Sequence, residues 1–296
     1  MTAPTPRRSW LNQRVGRSQN VDSAKIDDGT PAVELVAVDK VFAAGRTGEV
    51  TALVGVDLAV APGEFVTFIG PSGCGKSTLL RLVADLTEPT AGTVRVNGKT
   101  ARQARLDQDY GIAFQQSGLM DWRTVVRNIE LPLELRGWDR RRRRDRAREL
   151  LELVGLPEFA DHRPGELSGG MQQRVAIARA LATGPRLLLM DEPFGALDEM
   201  TRERLQAELA RIAAETGATV AFVTHSIPEA VYLSQRVVVM SARPGRVSAV
   251  VDVDLGVRTE DTREAPEFFA KVTEVREALR GRRSPSVAAF GAGEER

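Results

Sequence analysis

The stretch Phe65-Val-Thr-Phe-Ile69, followed by Gly70-Pro-Ser-Gly-Cys-Gly-Lys-Ser-Thr78, decides the fold of this 296-residue chain. The nearly continuous apolar residues predict a buried strand, and Leu79–Leu86 has helical spacing. Between them, the segment from Gly70 to Thr78 matches G-x-x-x-x-G-K-[ST], a loop whose backbone N–H groups surround phosphates. The alternative is a glycine-rich turn with an incidental lysine. The strand–loop–helix context favours the phosphate loop.

The residues of this loop have separate predicted roles in binding a nucleoside triphosphate. The glycines let the backbone N–H groups turn inward around the β-phosphate. Lys76 supplies a positive charge to the β- and γ-phosphates, and the Ser77 hydroxyl is placed for Mg²⁺. The predicted nucleotide-binding residues here are Gly70, Pro71, Ser72, Gly73, Cys74, Gly75, Lys76, Ser77 and Thr78.

Two adjacent carboxylates follow the short apolar run Leu187–Met190. Ligands bind at the carboxyl ends of strands in open parallel sheets, so Asp191 is predicted to hold Mg²⁺. Glu192 is predicted to position or deprotonate the attacking water, an effect worth roughly 10²–10⁴ in rate. The alternative is a pair of solvated carboxylates at a strand end. Four apolar residues directly before them disfavour a plain surface position.

His225 and Gln115 each follow another short apolar run. The apolar run Val220–Val223 ends in Thr224 and His225. His225 is therefore predicted at the same sheet edge as Asp191, in contact with the γ-phosphate. A structural histidine is the alternative. Gln115 follows Ile112–Phe114, and its amide is predicted to coordinate Mg²⁺ or water. From the residues alone, an ordinary polar strand end explains Gln115 equally well.

Residues Leu167–Arg174, LSGGMQQR, predict a second anion site at a helix N-terminus. Ser168 is placed to cap the helix, while Gly169 and Gly170 leave their N–H groups open to an anion. An ordinary N-cap is the alternative. One domain rarely needs two phosphate sites for one phosphate. The second site is therefore predicted to serve a nucleotide held by another copy of the chain.

The order of the patterns along the chain predicts an α/β fold. Apolar runs alternating with helical segments such as Thr201–Glu215 favour a mainly parallel sheet covered on both faces. Alternation after Val33 and over Thr51–Ala61 predicts antiparallel strands, and residues about 116–170 predict a helical subdomain. The predicted organisation is a flexible tail over 1–30, one domain over 31–255, and a partly disordered extension over 256–296 containing a helix at Pro266–Leu279.

Composition limits the classes of function. The formal net charge is +1, and no basic, aromatic-interleaved patch predicts a nucleic-acid partner. Cys74 is the only cysteine, which fits a reducing compartment. No apolar run reaches the roughly 18 residues that span a bilayer. The N-terminus lacks the apolar stretch of roughly 7–15 residues of a secretory signal, so any membrane role is predicted to be peripheral.

A run of five arginines, Arg140–Arg144, is predicted to lie between two helices, Arg127–Leu135 and Asp145–Val154. The favoured interpretation is a solvated charged segment. The second is attraction to anionic lipid at a membrane surface.

Together these motifs resemble the ATP-binding subunits of ABC (ATP-binding cassette) transporters over residues 33–255. The resemblance adds the loop Gly195-Ala-Leu-Asp198 and Phe42, which matches the family aromatic that stacks on adenine; Phe42 as plain core is the alternative. It implies a P-loop NTPase (RecA-like) core that uses ATP and Mg²⁺. It also implies a head-to-tail dimer, with each ATP between the phosphate loop of one copy and Ser168–Gly170 of the other.

Finer features resemble importers. Leu119–Val125 and Ser241–Arg246 look like the nitrate, sulfonate and taurine branch, and other segments resemble importers of pyrimidine precursors of thiamine. The resemblance implies a peripheral subunit at the cytoplasmic membrane face, beneath integral-membrane permease subunits that receive cargo from an extracytoplasmic solute-binding protein. A permease helix is expected at Leu119, Trp122 and Arg123. The alternatives are an exporter cassette and a soluble ABC ATPase.

Overall fold

A computed structural model describes residues 29–43 and 48–281 and contains a large, mainly parallel sheet. In spatial order its strands are β10 (Val247–Asp252), β9 (Arg236–Met240), β3 (Phe65–Ile69), β8 (Thr219–Val223), β7 (Leu187–Asp191) and β6 (Tyr110–Ala113). Strands β9 to β6 are parallel, and β10 is antiparallel to β9. The predicted α/β class is confirmed. Strands β3, β7 and β8 are apolar on both faces because both faces are covered.

The two faces of this sheet contribute to two separate cores. Because side chains alternate along a strand, Val66 and Phe68 face one core while Phe65 and Ile69 face the other. The first core contains helix α1 (Lys76–Val83) and a smaller antiparallel sheet. The second core is built from helices, which are α3 (Val125–Leu135), α4 (Arg140–Leu153), α5 (Gly169–Leu181), α6 (Glu199–Thr216), α7 (Ile227–Leu233) and α8 (Pro266–Leu279).

The smaller sheet is antiparallel throughout. Its strands are, in spatial order, β2 (Glu49–Val60), β1 (Val33–Ala43), β4 (Ala91–Val96) and β5 (Lys99–Thr100), and a short helix α2 (Ala101–Leu106) follows. The predicted antiparallel strands correspond to β1 and β2, in which Val33 pairs with Val60. The sequence patterns did not indicate β4, β5 or α2, which are short and partly exposed.

The arginine run does not lie between two helices as predicted, because it forms the first turns of α4. Asp139 caps this helix by accepting a hydrogen bond of 2.9 Å from the N–H of Arg142. Arginine is a strong helix former, and Asp139 supplies the start signal. The helix therefore begins five residues before the predicted start at Asp145.

Helix α8, which follows the domain boundary predicted at residue 255, packs on the helical core. Helix α8 has the predicted bounds, and its Phe268, Val272 and Val275 are buried in the helical core. The Arg258 guanidinium donates to the carbonyls of Tyr232 and Ser234, both at 2.7 Å. The predicted tail over 1–30 and the predicted disorder near the C-terminus fall almost entirely outside the described residues. Within residues 29–43 and 48–281, no helix is long and apolar enough to cross a membrane.

Candidate functional site

The phosphate loop joins β3 to α1 at the carboxyl edge of the large sheet, and the helix begins at Lys76, before the predicted Leu79. Gly75 adopts φ 102°, a left-handed conformation suited to glycine, and a Cβ there would lie 2.6 Å from Leu53 Cδ2. The Lys76 ammonium is folded back and donates to the carbonyls of Gly70 at 2.7 Å and Pro71 at 3.1 Å. The two carbonyls thus hold the buried Lys76 ammonium at the N-terminus of α1. A helix N-terminus favours an anion, such as a phosphate, close to this cation.

Ser77 and Asp191 meet at the same edge, although they lie far apart in the sequence. The Ser77 hydroxyl donates to Asp191 Oδ1 at 2.8 Å. Burial raises the pKa of the Asp191 carboxyl, with a smaller contribution from nearby Glu192, while the Ser77 hydrogen bond opposes the shift. The site therefore holds a buried carboxylate beside a hydroxyl, two hard oxygen ligands of the kind that Mg²⁺ takes.

Glu192 lies at the centre of a second group of polar side chains. Its Oε2 is 3.2 Å from His225 Nδ1 and 3.5 Å from Gln115 Nε2. Glu192 has φ 47°, a left-handed conformation that is uncommon for a non-glycine residue and is often found at functional sites. Its N–H donates to the Val223 carbonyl at 2.9 Å, which ties the end of β7 to the end of β8. The structure thus brings together the carboxylate, amide and imidazole that the sequence predicted.

Helix α5 begins at Gly169, with Ser168 as its N-cap and Gly170 in its first turn. The Ser168 hydroxyl accepts a hydrogen bond of 3.3 Å from the Met171 N–H, so the N-cap is present. Gly170 lies against the Gly195–Asp198 loop, because a Cβ at Gly170 would be 3.0 Å from the Ala196 carbonyl. Among the described residues, no hydrogen bond or ion pair joins Ser168–Gly170 to the phosphate loop of the same chain.

Asp198 and Phe42 occupy two further predicted positions. Asp198 caps α6 and accepts from the Thr201 N–H at 3.0 Å, and this hydrogen bonding lowers the pKa of its carboxyl. Phe42 is on β1 and is 40% exposed. The ammonium of Lys40 lies 4.8 Å from the centroid of the Phe42 ring. Phe42 is therefore available for stacking and is not core.

Helix α5 also holds the segment around Gln115, through side chains that the sequence did not single out. Gln173 donates to the Phe114 carbonyl at 2.8 Å. Arg179 donates to the carbonyls of Ser117 at 2.7 Å and Gly118 at 2.8 Å. One helix therefore begins at the predicted second anion site, and its side chains fix the segment that follows β6. No spacing rule in the sequence indicates these long-range pairs.

The loop Ser241–Arg246 packs against the phosphate loop and β2. Gly245 exchanges backbone hydrogen bonds with β2, donating to the Ala52 carbonyl at 2.9 Å and accepting from the Val54 N–H at 3.0 Å. A Cβ at Gly245 would lie 1.9 Å from the Cys74 carbonyl oxygen. The sequence associated this loop only with an importer branch and gave it no role at the nucleotide.

This sheet edge, with its phosphate loop, acidic strand end and strand-end histidine, defines a P-loop nucleoside triphosphatase. Comparisons with known proteins narrow the class. Residues 53–195 match the family described as ABC transporter. The nitrate import ATP-binding protein NrtD of Synechocystis is 43% identical over 265 residues, covering 87% of this chain and 98% of that protein. The taurine import ATP-binding protein TauB of Rhizobium johnstonii is 48% identical over 243 residues, covering 81% and 92%.

A solved structure gives the same result. The ATP-binding cassette MJ0796, in a dimeric post-hydrolysis state bound to ADP and Pi, superposes with a TM-score of 0.70 at 37% identity. The superposition covers 75% of this chain and 99% of the cassette. The chain belongs to the ABC transporter family, and its activity is that of an ATPase. The resemblance drawn from the sequence motifs is confirmed.

Proposed function

We propose that this chain is the ATP-hydrolysing subunit of an importer, working as a head-to-tail dimer beneath integral-membrane permease subunits at the cytoplasmic face of the membrane. The observation that carries the proposal is the presence of two anion sites, at Gly70–Thr78 and Ser168–Gly170, that do not contact each other among the described residues. In a head-to-tail pair, each ATP lies between one site from each copy. The dimeric form of the solved cassette supports this arrangement.

Mg²⁺ fits the oxygen pair formed by Ser77 and Asp191. When bound with ATP, the ion supplies charge neutralisation between the phosphates. Gln115 is assigned to the same ion or its water through its amide. Burial raises the pKa of the Asp191 carboxyl despite the nearby positive charges of Arg81 and Lys76, and a divalent ion would stabilise its charged form.

Hydrolysis depends on the group around Glu192. We assign Glu192 as the residue that orients or deprotonates the attacking water, because its carboxylate lies beside both the Asp191 strand end and His225. His225 holds this carboxylate and contacts the γ-phosphate, while Phe42 stacks on adenine. Loss of the γ-phosphate removes the link between the two copies, so the dimer opens, and the permease converts this motion into transport.

The proposed cargo is a small solute such as nitrate, a sulfonate, taurine or a pyrimidine precursor of thiamine. The support is the similarity to the nitrate and taurine import proteins and the Ser241–Arg246 loop. The cargo reaches the permease from an extracytoplasmic solute-binding protein and never contacts this subunit.

The test is affinity purification of the tagged chain from detergent-solubilised membranes of its own host. Mass spectrometry should identify permease-type integral-membrane proteins, and ligand binding to the accompanying solute-binding protein should name the cargo. Recovery without any membrane protein would contradict the importer assignment and favour a soluble ATPase. The dimer is tested separately, by ATP-dependent association of a hydrolysis-deficient variant.

A further inference from the structure

A network of largely buried polar side chains runs from the turn that carries His225 to the segment that follows β10. It consists of Thr224 directly after β8, Glu229 on α7, Gln206 on α6, and Arg263 beyond β10. The first three of these side chains belong to residues that are only 2%, 7% and 2% exposed. None of the four is among the residues assigned to ATP binding or hydrolysis.

The hydrogen bonds within this network are short and have a defined direction. Gln206 Nε2 donates to Glu229 Oε1 at 2.7 Å, and Arg263 Nη2 donates to Gln206 Oε1 at 2.6 Å. The guanidinium of Arg263 is itself held over the ring of Tyr232, 3.6 Å from the ring centroid. Because a guanidinium only donates and a carboxylate only accepts, these two partners fix one orientation of the Gln206 amide.

At its other end the network reaches the backbone on both sides of His225. The Ser226 N–H donates to Thr224 Oγ1 at 3.0 Å, and this hydrogen bond spans His225. The Ser226 hydroxyl caps α7 and accepts from the Glu229 N–H at 3.4 Å. Glu229 therefore interacts with both neighbours of His225, with one through its backbone N–H and with the other through its carboxylate. The turn held in this way is the one from which the imidazole projects toward Glu192.

The carboxylate of Glu229 does not serve packing well. Burial raises the pKa of this carboxyl, and the hydrogen bonds from Thr224 and Gln206 only partly oppose the shift. The ionised carboxyl therefore destabilises the fold above that pKa. Replacing buried charged groups with apolar side chains of similar size is often neutral or stabilising. A buried carboxylate at this position thus argues for a role other than stability.

We propose that Glu229 is a positioning residue for ATP hydrolysis, because it holds the turn that keeps His225 beside Glu192. Gln206 and Arg263 orient Glu229 in turn, so the segment after β10 contributes to turnover. The inference rests on the proposed role of His225 at the γ-phosphate. His225 Nδ1 is 3.2 Å from Glu192 Oε2, a distance that a small shift of the turn would change. A misplacement of about 1 Å can cost roughly 10²-fold in rate, even when its cause lies away from the chemistry.

The first variant is Glu229→Gln, which keeps the shape of the side chain but leaves one acceptor oxygen for two donors. We expect kcat for ATP hydrolysis to fall roughly tenfold, with KM for ATP nearly unchanged because the phosphate loop is untouched. The unfolding temperature at neutral pH should stay equal or rise, since the ionised carboxyl is removed. All kinetics are measured below the unfolding temperature of every variant. Wild-type kcat in Glu229→Gln would overturn the proposal.

Arg263→Met tests the far end of the network, and Arg258→Met is its matched control. Both arginines hold the segment after β10, but Arg258 does so through the carbonyls of Tyr232 and Ser234, whereas Arg263 reaches Gln206. We expect Arg263→Met to lower kcat roughly threefold and Arg258→Met to lower only the unfolding temperature. Equal losses of kcat in the two variants would mean that the segment acts through stability alone, contrary to the proposal.

A double variant tests whether Arg263 acts through Glu229. Added to Glu229→Gln, the Arg263→Met change should cause no further loss of kcat, because residues in one network are not additive. Multiplication of the two losses would show independent effects and contradict the network.

His225→Ala separates this inference from the proposed function. Full turnover in that variant would contradict the proposed role of His225, and this inference would fail with it. Loss of turnover in His225→Ala together with wild-type kcat in Glu229→Gln would overturn the inference alone. Loss of kcat in both variants is the expected result.

Discussion

The Ser77 hydroxyl donates a 2.8 Å hydrogen bond to the Asp191 carboxylate, so the end of the phosphate loop is joined directly to the end of β7. Neither residue is near the other in the sequence. Their contact follows from the order β3–β8–β7, in which parallel strands end at one edge. The ATPase chemistry is therefore concentrated where three chain segments meet.

Replacing Glu192 with Gln should lower ATP turnover roughly 10²–10⁴-fold, because the amide cannot accept the proton of the attacking water. Nucleotide binding should persist, since the phosphate loop is unchanged, and an ATP-dependent dimer should accumulate. Phosphate release and size-exclusion chromatography with ATP measure the two effects. Full turnover in this variant would contradict the assignment of Glu192 as the residue that orients or deprotonates the attacking water.

Replacing Asp191 with Asn should raise the thermal unfolding temperature at neutral pH without nucleotide or Mg²⁺. The folded-state pKa of Asp191 is raised by burial, so the ionised carboxyl destabilises the fold above that pKa. Below the ordinary value of 3.8 the carboxyl is protonated in both states, and the difference from Asn should disappear. Mg²⁺-dependent hydrolysis should be lost throughout.

Asp198→Asn provides the matched control, measured by the same denaturation series. The pKa of Asp198 is lowered by its hydrogen bonds to Thr201, so its ionised form stabilises the fold at neutral pH. This variant should therefore show no gain. A gain of equal size in both variants would mean that burial of Asp191 is not the cause.

Replacing Ser168 with Arg should leave ATP binding to the monomer intact and prevent dimer closure. The bulky side chain would fill the space that the ATP bound to the phosphate loop of the other copy needs. Ser168→Ala is the control: it removes the cap on the Met171 N–H, at a cost of about 1 kcal/mol, without adding volume. Equilibrium binding and ATP-dependent dimerisation separate the effects. Normal hydrolysis by the arginine variant would contradict the shared site.

Replacing Lys76 with Ala should weaken ATP binding roughly 10- to 100-fold, as expected for a lost charge-assisted hydrogen bond. The ammonium now rests on the carbonyls of Gly70 and Pro71, so its removal also frees two acceptors of the loop. Isothermal titration measures the affinity, and circular dichroism confirms the fold. Unchanged affinity would mean that Lys76 does not reach the phosphates.

Replacing Gly245 with Ala should destabilise the protein by roughly 1–3 kcal/mol and weaken ATP binding, because the new methyl group would overlap the Cys74 carbonyl. Gly165→Ala is the matched control, as a Cβ there meets nothing within 4 Å. Denaturant unfolding and nucleotide titration measure both variants. Equal stability of the two would show that the Ser241–Arg246 loop can move away from the phosphate loop at little cost.

Local patterns predicted the large sheet well, because strands such as Leu187–Asp191 are short, apolar and bounded by polar residues. They failed where a helix start depends on one capping contact, as at Asp139, and where strands are short and half-exposed, as in β4. They also gave no sign that α8 packs on the helical core. The burial of Val272 and Val275 in α8 depends on packing against α7, β9 and β10, which no local period reveals.

The sequence by itself determined the chemical groups of this protein: the phosphate loop, the adjacent carboxylates, the strand-end histidine and the second glycine-rich helix start. Those signals are local, because backbone freedom at glycine and the spacing of polar residues after apolar runs are properties of a few consecutive residues. Only the tertiary structure decided that Glu192 lies between His225 and Gln115 and that Gly245 supports Cys74. Each of these depends on contacts between distant segments, which packing of the whole chain selects.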